Sequence, residues 1–342
     1  MIFRNLFVFG VVHGVVDLIS AAVVFSFLLG GMDLGGFIRL AIIYNVFAFG
    51  TQAVFGHLVD VLKKPKEGAI ISMFFLLVSL ILIRVSPIGA VIMVGLGNAL
   101  FHVCGGTVSL NLIPRRATAP GIYVSLGALG LFIGTLMGKS LSGIMILLVF
   151  LILISTVMIL LVKIPKINYN KEKISTKFRY FELVVLLLLL VVVSRAFVGT
   201  MLIFSWNGNL VLATFLIISI VLGKALGGFF ADKFGWIRVS VIALIISAPL
   251  LSFAAYNPFL AMVGAFLFNF SMPVTLTALS NTLPGRPGFA FGLTTLALLI
   301  GALPALVGYK ELVSSSFLIF MVTLFSALIL YLVLKSYYQR KV

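Results

Sequence analysis

Long apolar runs, broken by short polar or glycine- and proline-bearing interruptions, fill this chain from end to end. Runs such as 183–193 are continuously apolar, so they lack the period-two alternation of a membrane β-barrel strand. A helix needs about 20 apolar residues to cross a bilayer. Breaks at Gly, Pro and charge clusters predict twelve such helices: 3–29, 36–58, 67–84, 88–112, 119–138, 141–163, 181–204, 208–231, 236–255, 258–282, 288–308 and 312–335. The longest polar stretch separates six spans from six. It predicts an N-terminal bundle at 1–163, a linker at 164–180 and a C-terminal bundle at 181–342.

Composition narrows the class. Of 342 residues, 62% are hydrophobic and 9% charged, and the mean hydropathy is +1.29. Soluble domains are nearer 45–50% apolar and 25% charged. A soluble enzyme, a disordered chain, a coiled coil and a disulfide scaffold are all excluded, leaving an all-α polytopic membrane protein. The N-terminal run contains Asp17 and is followed by further spans, so it reads as a span rather than a cleaved signal. Cys104 is the single cysteine, which rules out an internal disulfide.

The net charge of +16 matters through its distribution. With both termini placed inside, eighteen Lys and Arg fall on the inner segments and four on the outer ones. Cytoplasmic loops collect such residues, so both termini and the linker are expected in the cytoplasm. The basic charge is then topogenic and faces membrane lipid. No basic soluble module exists to bind nucleic acid. Neither a G-x-x-x-x-G-K-[ST] phosphate loop nor a zinc-spaced Cys/His cluster appears. No cofactor, no metal and no enzymatic activity are therefore expected.

The two halves repeat each other. Gly56 and Asp60 form a G-x-x-x-D followed by Lys63 and Lys64. Gly228 and Asp232 form a second, followed by Lys233 and Arg238. A longer match links Asn111–Pro114, Pro120-Gly121 and Gly134 to Asn281–Pro284, Pro287-Gly288 and Gly301. Two six-span halves in the same orientation are a parallel repeat, a known plan of secondary transporters.

On these residues the chain resembles the major facilitator superfamily, whose best-known motif is the G-x-x-x-D-plus-basic segment between spans 2 and 3. Within it, the nearest resemblance is to fosmidomycin-resistance-type efflux transporters. It is carried by His13 and Asp17 as H-x-x-x-D, by Gly56 to Pro65, and by Ala99 to His102 as A-x-F-H. The chain departs from that group after His102, where Val103 and Cys104 replace Pro-Glu. The resemblance implies alternating access, efflux, and a gating role for the motif carboxylates.

Intramembrane polar groups mark candidate chemistry, since a central charge costs about 2.5–3.5 kcal/mol on insertion scales. His13 and Asp17 share one face of span 1. At a rise of 1.5 Å per residue, His13 lies about 15 Å deep, Asp17 about 21 Å, His102 about 18 Å and Arg195 about 21 Å. These four are expected around one central cavity. Asp17 is the candidate proton-coupling group with His13 beside it, and Arg195 the candidate anion contact. A static polar network locking the helices is the competing reading. Lys224, Gln52, Asn45, Asn98 and Asn269 are further cavity candidates, with snorkelling or interhelical hydrogen bonding as their alternatives.

Asp60 and Asp232 are expected at inner loop edges. Spans 5 and 11 open on Pro-Gly pairs, and a helix N-terminus attracts an anion. By pseudo-symmetry Asp60 is expected to face the start of span 11, and Asp232 the start of span 5.

The expected protein is a monomeric transporter in a prokaryotic-type inner membrane, moving a small-molecule substrate by proton-coupled efflux among membrane lipids. The alternatives are an uptake symporter or uniporter, and a receptor-like or lipid-scrambling protein without coupled transport.

Overall fold

The computed structural model describes residues 1–138, 141–169, 181–206, 208–310 and 314–338. The charges expected at Lys139, Lys171, Lys173, Lys177, Arg179, Arg340 and Lys341, and most of the 164–180 linker, lie outside the described residues.

Among the described residues every regular element is helical. The helices are α1 (Ile2–Leu29), α2 (Leu34–Asn45), α3 (Gln52–Leu62), α4 (Pro65–Leu82), α5 (Pro87–Leu112), α6 (Thr118–Met137), α7 (Leu141–Leu161), α8 (Phe181–Met201), α9 (Leu210–Phe234), α10 (Trp236–Phe253), α11 (Pro258–Phe268), α12 (Ser271–Thr282), α13 (Pro287–Leu306) and α14 (Ser316–Tyr338). Twelve helical stretches are long and apolar enough to cross a membrane. The chain is an all-α polytopic membrane protein, with twelve spans among the described residues.

Two spans are broken within. A π-helical segment, Val46–Gly50, joins α2 to α3 in the second span. Asn269 and Phe270 separate α11 from α12 in the tenth. The same side-chain chemistry sits at both breaks. The Asn45 amide donates to the Ala41 carbonyl at 2.8 Å, and the Asn269 amide donates to the Ala265 carbonyl at 2.8 Å. A side chain that bonds its own helix four residues back competes with the backbone ladder, and such insertions bend helices.

Local sequence sets the helix starts. Asp33 caps α2 by accepting from the Gly36 amide at 2.9 Å. Asn257 caps α11 with Pro258 at its first position. Short polar residues accept the orphan amides of a first turn, and proline lacks the amide that would be orphaned.

The chain forms two compact units, and neither is a continuous stretch. One comprises Met1–Leu112, Leu126–Tyr169 and Gly285–Leu296. The other comprises Ile113–Ser125 with the described residues of Asn170–Pro284 and Ala297–Val342. Each unit therefore contains a short piece from the opposite half of the sequence. In the first unit α5 is buried along most of its length, so Asn98, His102, Thr107 and Ser109 face protein instead of lipid.

Candidate functional site

Three polar residues of the first unit meet at one point. His13 and Asp17 are one turn apart on α1, and His102 reaches them from α5. The His13 and His102 Nε2 atoms are 2.8 Å apart. Asp17 Oδ2 lies 3.3 Å from His13 Nε2, and Asp17 Oδ1 lies 3.4 Å from His102 Nε2. The Asn98 amide donates to Asp17 Oδ1 at 2.8 Å and to Ser20 Oγ at 3.2 Å. His102 Nδ1 lies 2.8 Å from the Asn98 backbone carbonyl. A carbonyl only accepts, so His102 carries a proton on Nδ1. In neutral His102 the Nε2 lone pair then faces inward, and His13 donates to it. A further proton entering the pair sits beside the Asp17 carboxylate.

The trio closes because α6 presents no side chain to it. A Cβ on Gly127 would lie 2.6 Å from His13 Nε2 and would also run into Asp17 Oδ2. The three groups offer one ligand atom each within 4.8 Å of one another, a set that a divalent ion would accept. Two imidazoles on one tetrahedral metal at the usual Zn–N length would stand about 3.3 Å apart. The observed 2.8 Å is instead a hydrogen bond with one proton between two nitrogens.

Each motif aspartate grips the start of another helix. Asp60 is only 8% exposed. Its Oδ1 accepts from the Gly288 amide at 2.9 Å and its Oδ2 from the Phe289 amide at 2.8 Å. These are first-turn amides of α13, which have no partner within their own helix. Asp232 does the same at α6. It accepts from the Ala117 amide at 3.0 Å, the Thr118 amide at 2.8 Å and the Thr118 hydroxyl at 2.6 Å. The Trp236 indole N–H adds a fourth donor at 2.9 Å. Both aspartates lie in the last turns of helices, α3 and α9, two residues before each helix ends. The glycine one turn earlier serves the same contact. A Cβ on Gly56 would strike the Gly288 carbonyl, and one on Gly228 would strike the Ala117 carbonyl.

No family model matches the sequence, and no curated protein matches it. Solved structures do match over nearly the whole chain. Against the E. coli fucose:proton symporter the TM-score is 0.71 at 12% identity, covering 97% of this chain and 96% of that one. Against the human organic anion transporter it is 0.73 at 13%, covering 96% and 99%. Against a proton:xylose symporter bound to 6-bromo-6-deoxy-D-glucose it is 0.69 at 13%, covering 98% and 95%. The chain has the major facilitator fold. In that fold the carboxylate–helix contact occurs here twice, once in each compact unit.

The remaining candidates divide. Arg195, on α8, belongs to the second unit, whereas His13, Asp17 and His102 belong to the first. Arg195 is 8% exposed. One guanidinium nitrogen contacts the Phe268 carbonyl at 3.4 Å, and the group stands 5.2 Å from the Phe268 ring centroid. Among the described residues no carboxylate pairs with it and its Nε has no hydrogen-bond partner. Lys224 is half-buried, and its backbone carbonyl packs against Gly121. Gln52 is fully buried and donates to the Ala48 carbonyl at 2.6 Å. Lys63, Lys64 and Arg238 are exposed, and Lys233 lies over the Phe234 ring at 5.2 Å.

Tyr169 escaped sequence reasoning. It follows α7 in a polar segment that reads as solvated linker, yet its hydroxyl is buried without a partner. Burial, and then the nearby Asp60 carboxylate, raise its phenol above the ordinary tyrosine range. Only its aromatic character, amid lysines and asparagines, marks it in the sequence.

Proposed function

We propose that the protein is a secondary transporter that moves a small molecule across a prokaryotic-type inner membrane by alternating access. The observation that carries this is the duplicated contact of Asp60 with α13 and Asp232 with α6. Each contact joins distant parts of the sequence through a few hydrogen bonds to first-turn amides. Such contacts form and break without unfolding a helix, which is what a gate requires. The motif lysines and the termini are assigned to the cytoplasmic side on the charge distribution, so these contacts close the inner face.

Proton coupling is assigned to Asp17, His13 and His102. The 2.8 Å nitrogen pair shares one proton, and a second proton parts the two Nε2 atoms and turns toward the adjoining Asp17 carboxylate. Arg195 supports a substrate with an anionic group, since a buried guanidinium lacking a counter-ion is costly until a ligand supplies one. Efflux follows from the resemblance to the fosmidomycin-resistance group. Uptake is the second reading, favoured by two of the compared structures being of proton-coupled sugar symporters.

The test is proton movement in proteoliposomes across a panel of small anions and amphipathic compounds, with wild type beside Asp17→Asn. Substrate-evoked proton flux that vanishes in the variant supports the assignment. Substrate flux that persists unchanged makes Asp17 structural and the protein a uniporter. The absence of flux for every compound, with the protein correctly folded, favours the non-transporting alternative. The sign of the proton movement separates efflux from uptake.

A further inference from the structure

Two cavities of the second unit adjoin where α9 gives way to α10, and their linings differ sharply. One, about 450 Å³, is lined by Arg115, Arg116, Asp232, Gly235, Trp236 and Arg238. The other, about 420 Å³, is a groove whose lining includes Phe230, Val239, Ile242, Ile246, Leu267 and Phe270. Phe234 and Arg238 belong to both. We propose that the pair is a binding site for an anionic phospholipid, with its phosphate among the three arginines and one acyl chain along α10.

Charge sets the headgroup. The lining holds three arginines and one carboxylate, Asp232. Both Asp232 oxygens are already taken by the two backbone amides, the Thr118 hydroxyl and the Trp236 indole. The lining therefore carries a net positive charge, three guanidinium groups against one carboxylate that is turned toward the start of α6. Arginine presents a planar fork of donors suited to phosphate. Shape sets the tail. Arg238, Ile242 and Ile246 are spaced by four, so they line one face of α10 and carry the groove about 12 Å from the arginine end into the apolar span. A free phosphate or a soluble anion has no use for that groove, and an uncharged lipid has none for the arginines. The site touches the Asp232 contact directly, because Arg116 donates to the Asp232 backbone carbonyl at 3.0 Å.

The test uses the purified full chain in micelles titrated with phosphatidylglycerol, phosphatidylcholine or inorganic phosphate, with bound lipid counted by native mass spectrometry. Wild type is expected to retain phosphatidylglycerol in preference to phosphatidylcholine, with millimolar phosphate failing to displace it. Arg238→Gln and, independently, Arg115→Gln are expected to weaken retention roughly fivefold each, the worth of one basic group at an anionic surface. Ile242→Trp, which fills the groove and spares every arginine, is expected to weaken it as well. Variants count only when monodisperse with an unchanged melting temperature, and three substitutions ensure that one misfolded variant does not end the test. Equal retention of the two lipids overturns the proposal. So does displacement by phosphate, which would make this a soluble-anion site, and so does retention unaltered in the folded variants.

Discussion

At Gly127 a single hydrogen decides whether His13, Asp17 and His102 can meet. A methyl group there would stand 2.6 Å from His13 Nε2 and 2.7 Å from His13 Cε1, well inside contact distance. Gly127→Ala forces the imidazole off its partner. Overpacking of this kind costs about 1–3 kcal/mol, and the expected result is a folded protein of lowered melting temperature. Its substrate-evoked proton flux, measured in proteoliposomes, should fall further than its expression or stability. A proton flux equal to wild type would separate the trio from coupling. The membership of the trio was legible beforehand, but its geometry was not. His13 and Asp17 share a helix face by spacing alone, and counting 1.5 Å per residue set His102 at nearly the same depth. The 2.8 Å approach of the two rings was not legible, because the azimuth of α5 about its own axis is fixed by packing. Nor was the role of Gly127, since one glycine among 32 carries no mark of what faces it.

Between elements, the contacts at Asp60 and Asp232 rest on charge meeting a helix start. A hydrogen bond to a charged group is worth about 1.5–3 kcal/mol net. Asp60→Asn keeps one acceptor and loses the charge and the second bond. The closed state is therefore expected to lose roughly 10- to 150-fold in population. Maleimide labelling of Pro284→Cys, just before the α13 start, in a Cys104→Ala background reads the change. Labelling is expected to accelerate in the Asp60→Asn variant and to return to the parental rate when the carboxylate is restored as Glu. The repeated motif and the Pro-Gly helix starts made these partnerships legible from the sequence. Lys63, Lys64 and Arg238 stand exposed, while backbone amides do the gripping. The π-helical break at Val46–Gly50 was not legible either. Its residues are as apolar as those of an unbroken span, and the deviation depends on a side chain turning back on its own helix.

For the whole molecule, the twelve spans were legible because hydropathy measures what a bilayer demands of every helix. The predicted ends agree with the described helices to within a few residues at most boundaries, and the tenth span, 258–282, agrees at both. Orientation is a prediction of charge alone. Cys104 is buried, so a Cys104→Ala background with Lys64→Cys gives one exposed thiol. A membrane-impermeant maleimide is expected to label it in inside-out vesicles and not in intact cells. The reverse pattern would place the termini outside.

The exchange of segments between the compact units has a consequence for synthesis. Asp60 and its partner Gly288 are 228 residues apart in the chain. At 5–20 residues per second the ribosome takes about 11–46 s to cover that distance. Throughout that interval the N-terminal helices are inserted without the helix start that their carboxylate grips. The first unit, although it begins the chain, is completed only after most of the second has been made. A nascent chain arrested before Gly285 should therefore remain open to proteases at that edge and become resistant only when α13 emerges.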